Sequence, residues 1–119
     1  MSVLFTTTTP QQLLRDFKAK IDKREVVTWR YDAEGDFTHS ADQWDGKGWM
    51  RPVTDLNGLR FNFIGTTGVV TTWAIFGIYQ GRLIESFVTH CHDLFRDGSA
   101  ASKPTNTDVI ITQAAGAQR

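Results

Sequence analysis

Moving a proton at neutral pH takes an imidazole and a carboxylate to orient it, and Asp36, His39 and Asp42 supply both in one short stretch. His92, on a later segment, could complete such an acid–base set. The spacing sets a condition. On an extended strand Asp36 and His39 lie an odd number of residues apart and face opposite sides, so they meet only if Asp36 ends the preceding turn. A histidine flanked by aspartates is also what a solvated surface hairpin carries.

Thr89-His90-Cys91-His92-Asp93 has the residue types of a metal site. On a helix, neighbours two apart point ~200° apart, so His90 and His92 flank opposite sides of an apolar stripe and Cys91 points inward. A helical metal site needs ligands at i and i+3 or i+4. No metal and no cofactor are expected here. Glu85, Thr89, His92 and Arg96 fall along one line of the same helix, which reads as its solvated face.

The segment Asp42-Gln43-Trp44-Asp45-Gly46-Lys47-Gly48-Trp49 is the one folding alone explains least. A calcium loop would need an oxygen ligand at its third position, where Trp44 stands. A tryptophan in a polar, glycine-flanked loop either folds back as a lid on the core or stays partly exposed as an anchor for a partner. Trp49, at the start of a strand, is expected in the core, holding the base of the loop. In the binding reading Asp42, Gln43, Trp44 and Asp45 are the contact residues, with Trp44 as anchor and the aspartates as a polar rim.

Other chemistries find less. Trp29, Tyr31, Phe61, Phe63, Trp73 and Tyr79 could stack bases if they lay on a sheet beside Arg30, Arg51 and Arg60. Gly65-Thr66-Thr67-Gly68 lacks the Lys-Ser/Thr pair of a phosphate loop, and no Gly-x-Ser-x-Gly elbow is present.

The elements that must position these residues follow from pattern. Thr9, Pro10 and Gln12 predict a capped helix start, with Leu13, Leu14, Phe17 and Ile21 on one face and an end near Lys23. Val26 to Tyr31 predicts a strand, Asp32 to Gly35 a turn, and Asp36 to Ser40 its return. Trp49 to Thr54 and Leu59 to Phe63 predict two more strands across an Asn57-Gly58 hairpin. Val69 to Tyr79, apolar on both faces if extended, predicts a central strand. A second helix is expected from about Gly81, with Gly98 as its cap. Residues 1–8 read as an extended arm that adds a strand edge or stays loose.

The expectation is an α+β fold in the order α-β-β-β-β-β-α. A mainly antiparallel four- to five-stranded sheet would carry two amphipathic helices on one face. Residues 1–98 would form the single domain and 99–119 a mostly disordered tail, with Val109-Ile110-Ile111 able to supply one late strand.

Composition narrows the function. The chain has 119 residues, with 13 basic and 13 acidic side chains, so its formal net charge is zero. That disfavours a protein held mainly by phosphates, although a neutral total can hide a charged face. A single cysteine, Cys91, allows no internal disulfide and points to a reducing compartment, the cytoplasm. The start of the chain lacks the pattern of a signal peptide. Its longest apolar stretch is far short of the ~20 residues that span a bilayer, so no membrane is expected.

Tyr79-Gln80-Gly81-Arg82-Leu83-Ile84-Glu85 with Thr89-His90, and Gly35-Asp36-Phe37-Thr38-His39 with Gln43-Trp44, make residues 26–95 similar to small uncharacterised proteins of bacterial mobile elements. The resemblance implies no activity and no site. It implies a gene that travels with phages and plasmids, whose small products often bind host machinery. The leading expectation is therefore a non-enzymatic interaction protein: an inhibitor, an immunity-type protein or an accessory factor that binds a protein partner. The alternatives are a small enzyme using His39 with Asp36 or Asp42, and a module binding single-stranded nucleic acid. A homodimer through an uncovered sheet face is a further expectation.

Overall fold

The computed structural model describes residues 1–113. The chain forms an antiparallel sheet with two helices in the order β-α-β-β-β-β-α-β. The strands are β1 (Val3–Thr6), β2 (Trp29–Tyr31), β3 (Phe37–His39), β4 (Gly48–Asp55), β5 (Gly58–Gly65) and β6 (Asp97–Ala100). The helices are α1 (Pro10–Asp22) and α2 (Trp73–Cys91). Sheet order is β2-β3-β4-β5-β1-β6. The α+β class, the antiparallel sheet and the two helices agree with the sequence reading. The strand number and element order do not.

The first correction is at the start of the chain. Residues 3–6 are no loose arm but an inner strand, with Val3 opposite Phe61 on one side and Ala100 on the other. Two apolar residues at period two suffice, because Val3 and Phe5 fall on the buried face and are 1% and 0% exposed. Phe5 stacks on Phe87 of α2 with ring centroids 4.1 Å apart.

The second correction is the segment Val69–Tyr79, which is not a strand. Thr72 Oγ1 accepts the backbone N–H of Ile75 at 3.1 Å, and helix begins at Trp73. Ile75, Phe76, Tyr79, Leu83, Phe87 and Cys91 are all buried and share one helical face. The β-branched run before Thr72 and the glycines at 77 and 81 argue locally against a helix. A long buried stripe overrides them. Gly77 and Gly81 sit on the exposed side, where an added Cβ would meet nothing within 4 Å.

Gly98 is not a helix cap. It lies in β6 opposite Phe5, where a Cβ would come within 3.0 Å of the Phe5 ring. Gly58, at φ +145°, is likewise fixed by close approach, since its Cβ would stand 2.1 Å from the Phe5 carbonyl oxygen. The expected Thr9–Gln12 capping box does not form: Thr9 makes no side-chain cap, and its N–H donates to Thr7 Oγ1 at 3.1 Å.

Residues 101–113 follow the sheet. Ala101 N–H donates to the Ser2 carbonyl at 2.8 Å, continuing the β1–β6 edge. β1 pairs with β5 only as far as Phe61, and beyond it Val109 forms a parallel bridge with Ile64. Asp108 Oδ1 accepts the Phe63 N–H at 2.8 Å. Residues 114–119, the rest of the expected tail, lie outside the described residues.

Both helices cover one face of the sheet. Phe17 of α1 contacts Phe37 and Phe87, while Phe63 and Phe61 meet Phe76 and Phe87 of α2. The opposite face is only half covered. No helix among the described residues is long and apolar enough to cross a membrane.

Candidate functional site

The loop between β3 and β4 contains a short 3-10 turn, Asp42–Trp44, tied down at several points. The Tyr79 hydroxyl, on α2, donates to the Trp44 carbonyl. Burial pushes the Tyr79 phenol up, so it stays a donor. Thr38 Oγ1 donates to the Gly48 carbonyl at 2.8 Å and accepts the Gly46 N–H at 3.1 Å. Thr66 Oγ1 reaches across from the far end of β5 to the Gly46 carbonyl at 2.6 Å. Asp45 pairs with Arg30 at 3.0 Å.

The Trp44 side chain is half-buried and packs against the core cluster, so it is a lid with an exposed edge rather than a free anchor. Asp42 and Gln43 face solvent, and Asp42 holds a left-handed φ of 46°. That conformation is costly for a residue with a Cβ, and the surrounding bonds maintain it.

His39 is 4% exposed, between the rings of Trp29 and Tyr79. Its Nδ1 lies 2.8 Å from the Thr28 carbonyl oxygen. A carbonyl can only accept, so the neutral ring carries its proton on Nδ1 and offers Nε2 as an acceptor. Burial is the main cause of a lowered pKa, with Arg82 adding to it; the Thr28 carbonyl and Glu85 pull the other way.

His39 borders a cleft of about 250 Å³ between the loop and α2, with Asp42 and Trp44 on one wall and Arg82, Glu85 and Ser86 on the other. Arg82 and Glu85 pair at 3.0 Å. The structure thus brings His39 and Asp42 to one cleft.

Asp36 and His92 do not join them. Asp36, 6% exposed, accepts from Nε and Nη2 of the Arg51 guanidinium, at 3.0 and 2.9 Å. His92 stands exposed after α2, its Nδ1 2.8 Å from the Val88 carbonyl oxygen. The position on His39 that an orienting carboxylate would occupy is filled by Thr28. Cys91 is 3% exposed, and burial, aided by Asp16, pushes its thiol up to about 12. Among the described residues no three His, Cys, Asp or Glu side chains are grouped to hold a metal ion.

Trp49 is not in the core. It alternates with Met50, which is fully buried, and so falls on the outer face of the sheet. There the Arg30 guanidinium lies over its ring, 5.6 Å from the centroid, linking Trp49 to Asp45 and the base of the loop. Arg51 and Arg60 share that face, opposite Asn62 and Val53. Of the aromatics expected as a stacking platform, Trp29, Phe61, Phe63 and Tyr79 are buried in the core, and Trp73 is exposed on α2. Each of the three arginines holds an aspartate: Asp45, Asp36 and Asp55.

Sequence reasoning missed the opposite wall. Arg82 and Glu85 form an i, i+3 pair, a signal of an exposed helix face but not of what that face opposes. Tyr79 was misplaced on a strand. No protein-family model, no curated protein and no solved structure matches the chain.

Proposed function

We propose that this chain is a small non-enzymatic interaction protein that binds a protein partner through the Asp42–Asp45 loop and the adjoining turn of α2. The supporting observation is the preorganisation of the loop. Tyr79, Thr38 and Thr66 hold its backbone and Arg30 holds the Asp45 carboxylate, while Asp42, Gln43 and the edge of Trp44 remain available. A surface already in its bound shape loses little conformational entropy on docking. An inhibitor, immunity-type or accessory role fits such a surface. The resemblance to mobile-element proteins suggests that the partner belongs to the host. The enzyme reading has less support, because His39 lacks a carboxylate on Nδ1 and Asp36 serves Arg51.

The test is capture from host lysate with the wild-type chain, Gln43→Arg and Trp44→Ala. Gln43 is exposed, so its replacement leaves the fold intact and probes contact alone. A stoichiometric partner lost with Gln43→Arg supports the reading. A partner retained by Gln43→Arg and Trp44→Ala moves the interface elsewhere.

A second reading has one observation in its favour: Arg30, Arg51 and Arg60 lie with Trp49 on the open sheet face. Single-stranded nucleic acid there would have to displace three aspartates from the arginines. Binding of an oligonucleotide that falls steeply with salt, and weakens with Arg60→Gln, would favour this face.

A further inference from the structure

The cleft beside His39 has an unusual balance of hydrogen-bonding groups. His39 is nine-tenths buried, and its Nδ1 is committed to Thr28, so the ring can offer only the lone pair of Nε2. Asp42 adds a carboxylate that forms no ion pair among the described residues. Glu85 is neutralised by Arg82, so the charged side chains lining the cleft sum to one negative charge: Asp42 and Glu85 against Arg82. Trp44 provides an aromatic wall. The site therefore presents acceptors, a net negative charge and a flat ring.

We propose that the cleft receives a basic side chain of the partner, an arginine above all, with its guanidinium between His39 Nε2 and the Asp42 carboxylate and its plane against Trp44. This rests on the protein-binding reading above and names what the partner must present. A guanidinium carries only donors, in a planar fork, and stacks on aromatic faces, so it matches an acceptor-lined, aromatic-walled cleft better than an ammonium does. About 250 Å³ suits one long side chain rather than a peptide segment. A carboxylate or phosphate would meet Asp42 and a bare imidazole nitrogen, and the one cation lining the cleft among the described residues, Arg82, is already paired.

The experiment is an NMR titration of the whole chain with N-acetyl-arginine N-methylamide and, in parallel, its uncharged citrulline counterpart. The arginine probe should shift the Trp44 indole and His39 ring signals saturably, and the citrulline probe should not. Asp42→Asn should weaken the arginine probe about tenfold, because a charge-assisted bond is lost. Asp42 is exposed, so the fold is unaffected. Equal shifts with citrulline, no saturable shift with arginine, or binding indifferent to Asp42→Asn would each overturn the assignment. A silent probe alongside a captured protein would overturn the cleft assignment alone and leave the interaction reading standing. Saturable arginine binding with no captured protein would uphold the cleft's preference and overturn the protein-partner reading.

Discussion

The hydroxyl of Tyr79 donates to the main-chain carbonyl of Trp44, so a buried residue of α2 fixes the backbone of the loop that carries the exposed candidate contacts. The same hydroxyl lies 3.1 Å from Thr38 Oγ1, which itself holds Gly46 and Gly48. The shape of the loop is therefore set from inside the core.

Tyr79→Phe removes that donor and leaves the Trp44 carbonyl with the Lys47 N–H alone, at 3.2 Å. It should cost about 0.5–1.5 kcal/mol by chemical denaturation. It should also speed hydrogen exchange at Gly46 ahead of the rest of the sheet. Uniform exchange changes would mean that the loop is held by other contacts.

His39 gives stability a pH dependence of definite sign. Its pKa is lowered in the fold. Once pH falls below the ordinary histidine value of about 6.5, the unfolded chain takes up a proton that the folded chain resists. The contribution of the buried neutral ring is thus full above about 6.5 and declines as pH falls towards the folded pKa. Denaturation midpoints measured across pH 7.5 to 5 should drop for the wild type and flatten in this window for His39→Gln.

Asp36 and Arg51 make a structural pair, not a catalytic one. Arg51→Met leaves a nearly buried carboxylate without its guanidinium. Because the arginine is half-exposed, the expected cost is about 1–2 kcal/mol. Partner capture should survive it. Loss of capture in a folded Arg51→Met protein would bring the outer sheet face into the interface.

Phe5→Ala tests whether the N-terminal strand belongs to the core. The ring is fully buried against Phe61, Phe87 and Phe95, and its loss should cost about 3–5 kcal/mol. A loose arm would tolerate the change.

The Cys91 thiol, at about 12, is almost wholly protonated near neutrality. A thiol reagent at pH 8 should label it only at the rate of unfolding. Stoichiometric labelling within seconds in native buffer would contradict its burial.

The hairpins and first helix were legible because their signals are local: alternation in Leu59–Phe63, glycine and asparagine at turns, Pro10 at a helix start. The start of α2 was not. Its first turns carry glycine and follow a β-branched run, and only the stripe from Ile75 to Cys91, read as a whole, reveals the helix. β6 was missed, and β1 left open between a strand edge and a loose arm, for the opposite reason. Each is too short for its pattern to count, and each is specified by a partner distant in the chain. The candidate site was half legible. Asp42 and Trp44 stood out by composition, and His39 by type. That Arg82 and Glu85 face them is a matter of packing, which no spacing along the chain encodes.

β1 is the first strand made, yet it is wedged between β5 and β6, the last two. A nascent chain leaving the ribosome therefore carries Val3 and Phe5 without their β5 partners until residue 61 has emerged, and without β6 until residue 100 has. The two edges of β1 thus close at different times, and the apolar face of Val3 and Phe5 is exposed to chaperones and to other nascent chains until β5 arrives.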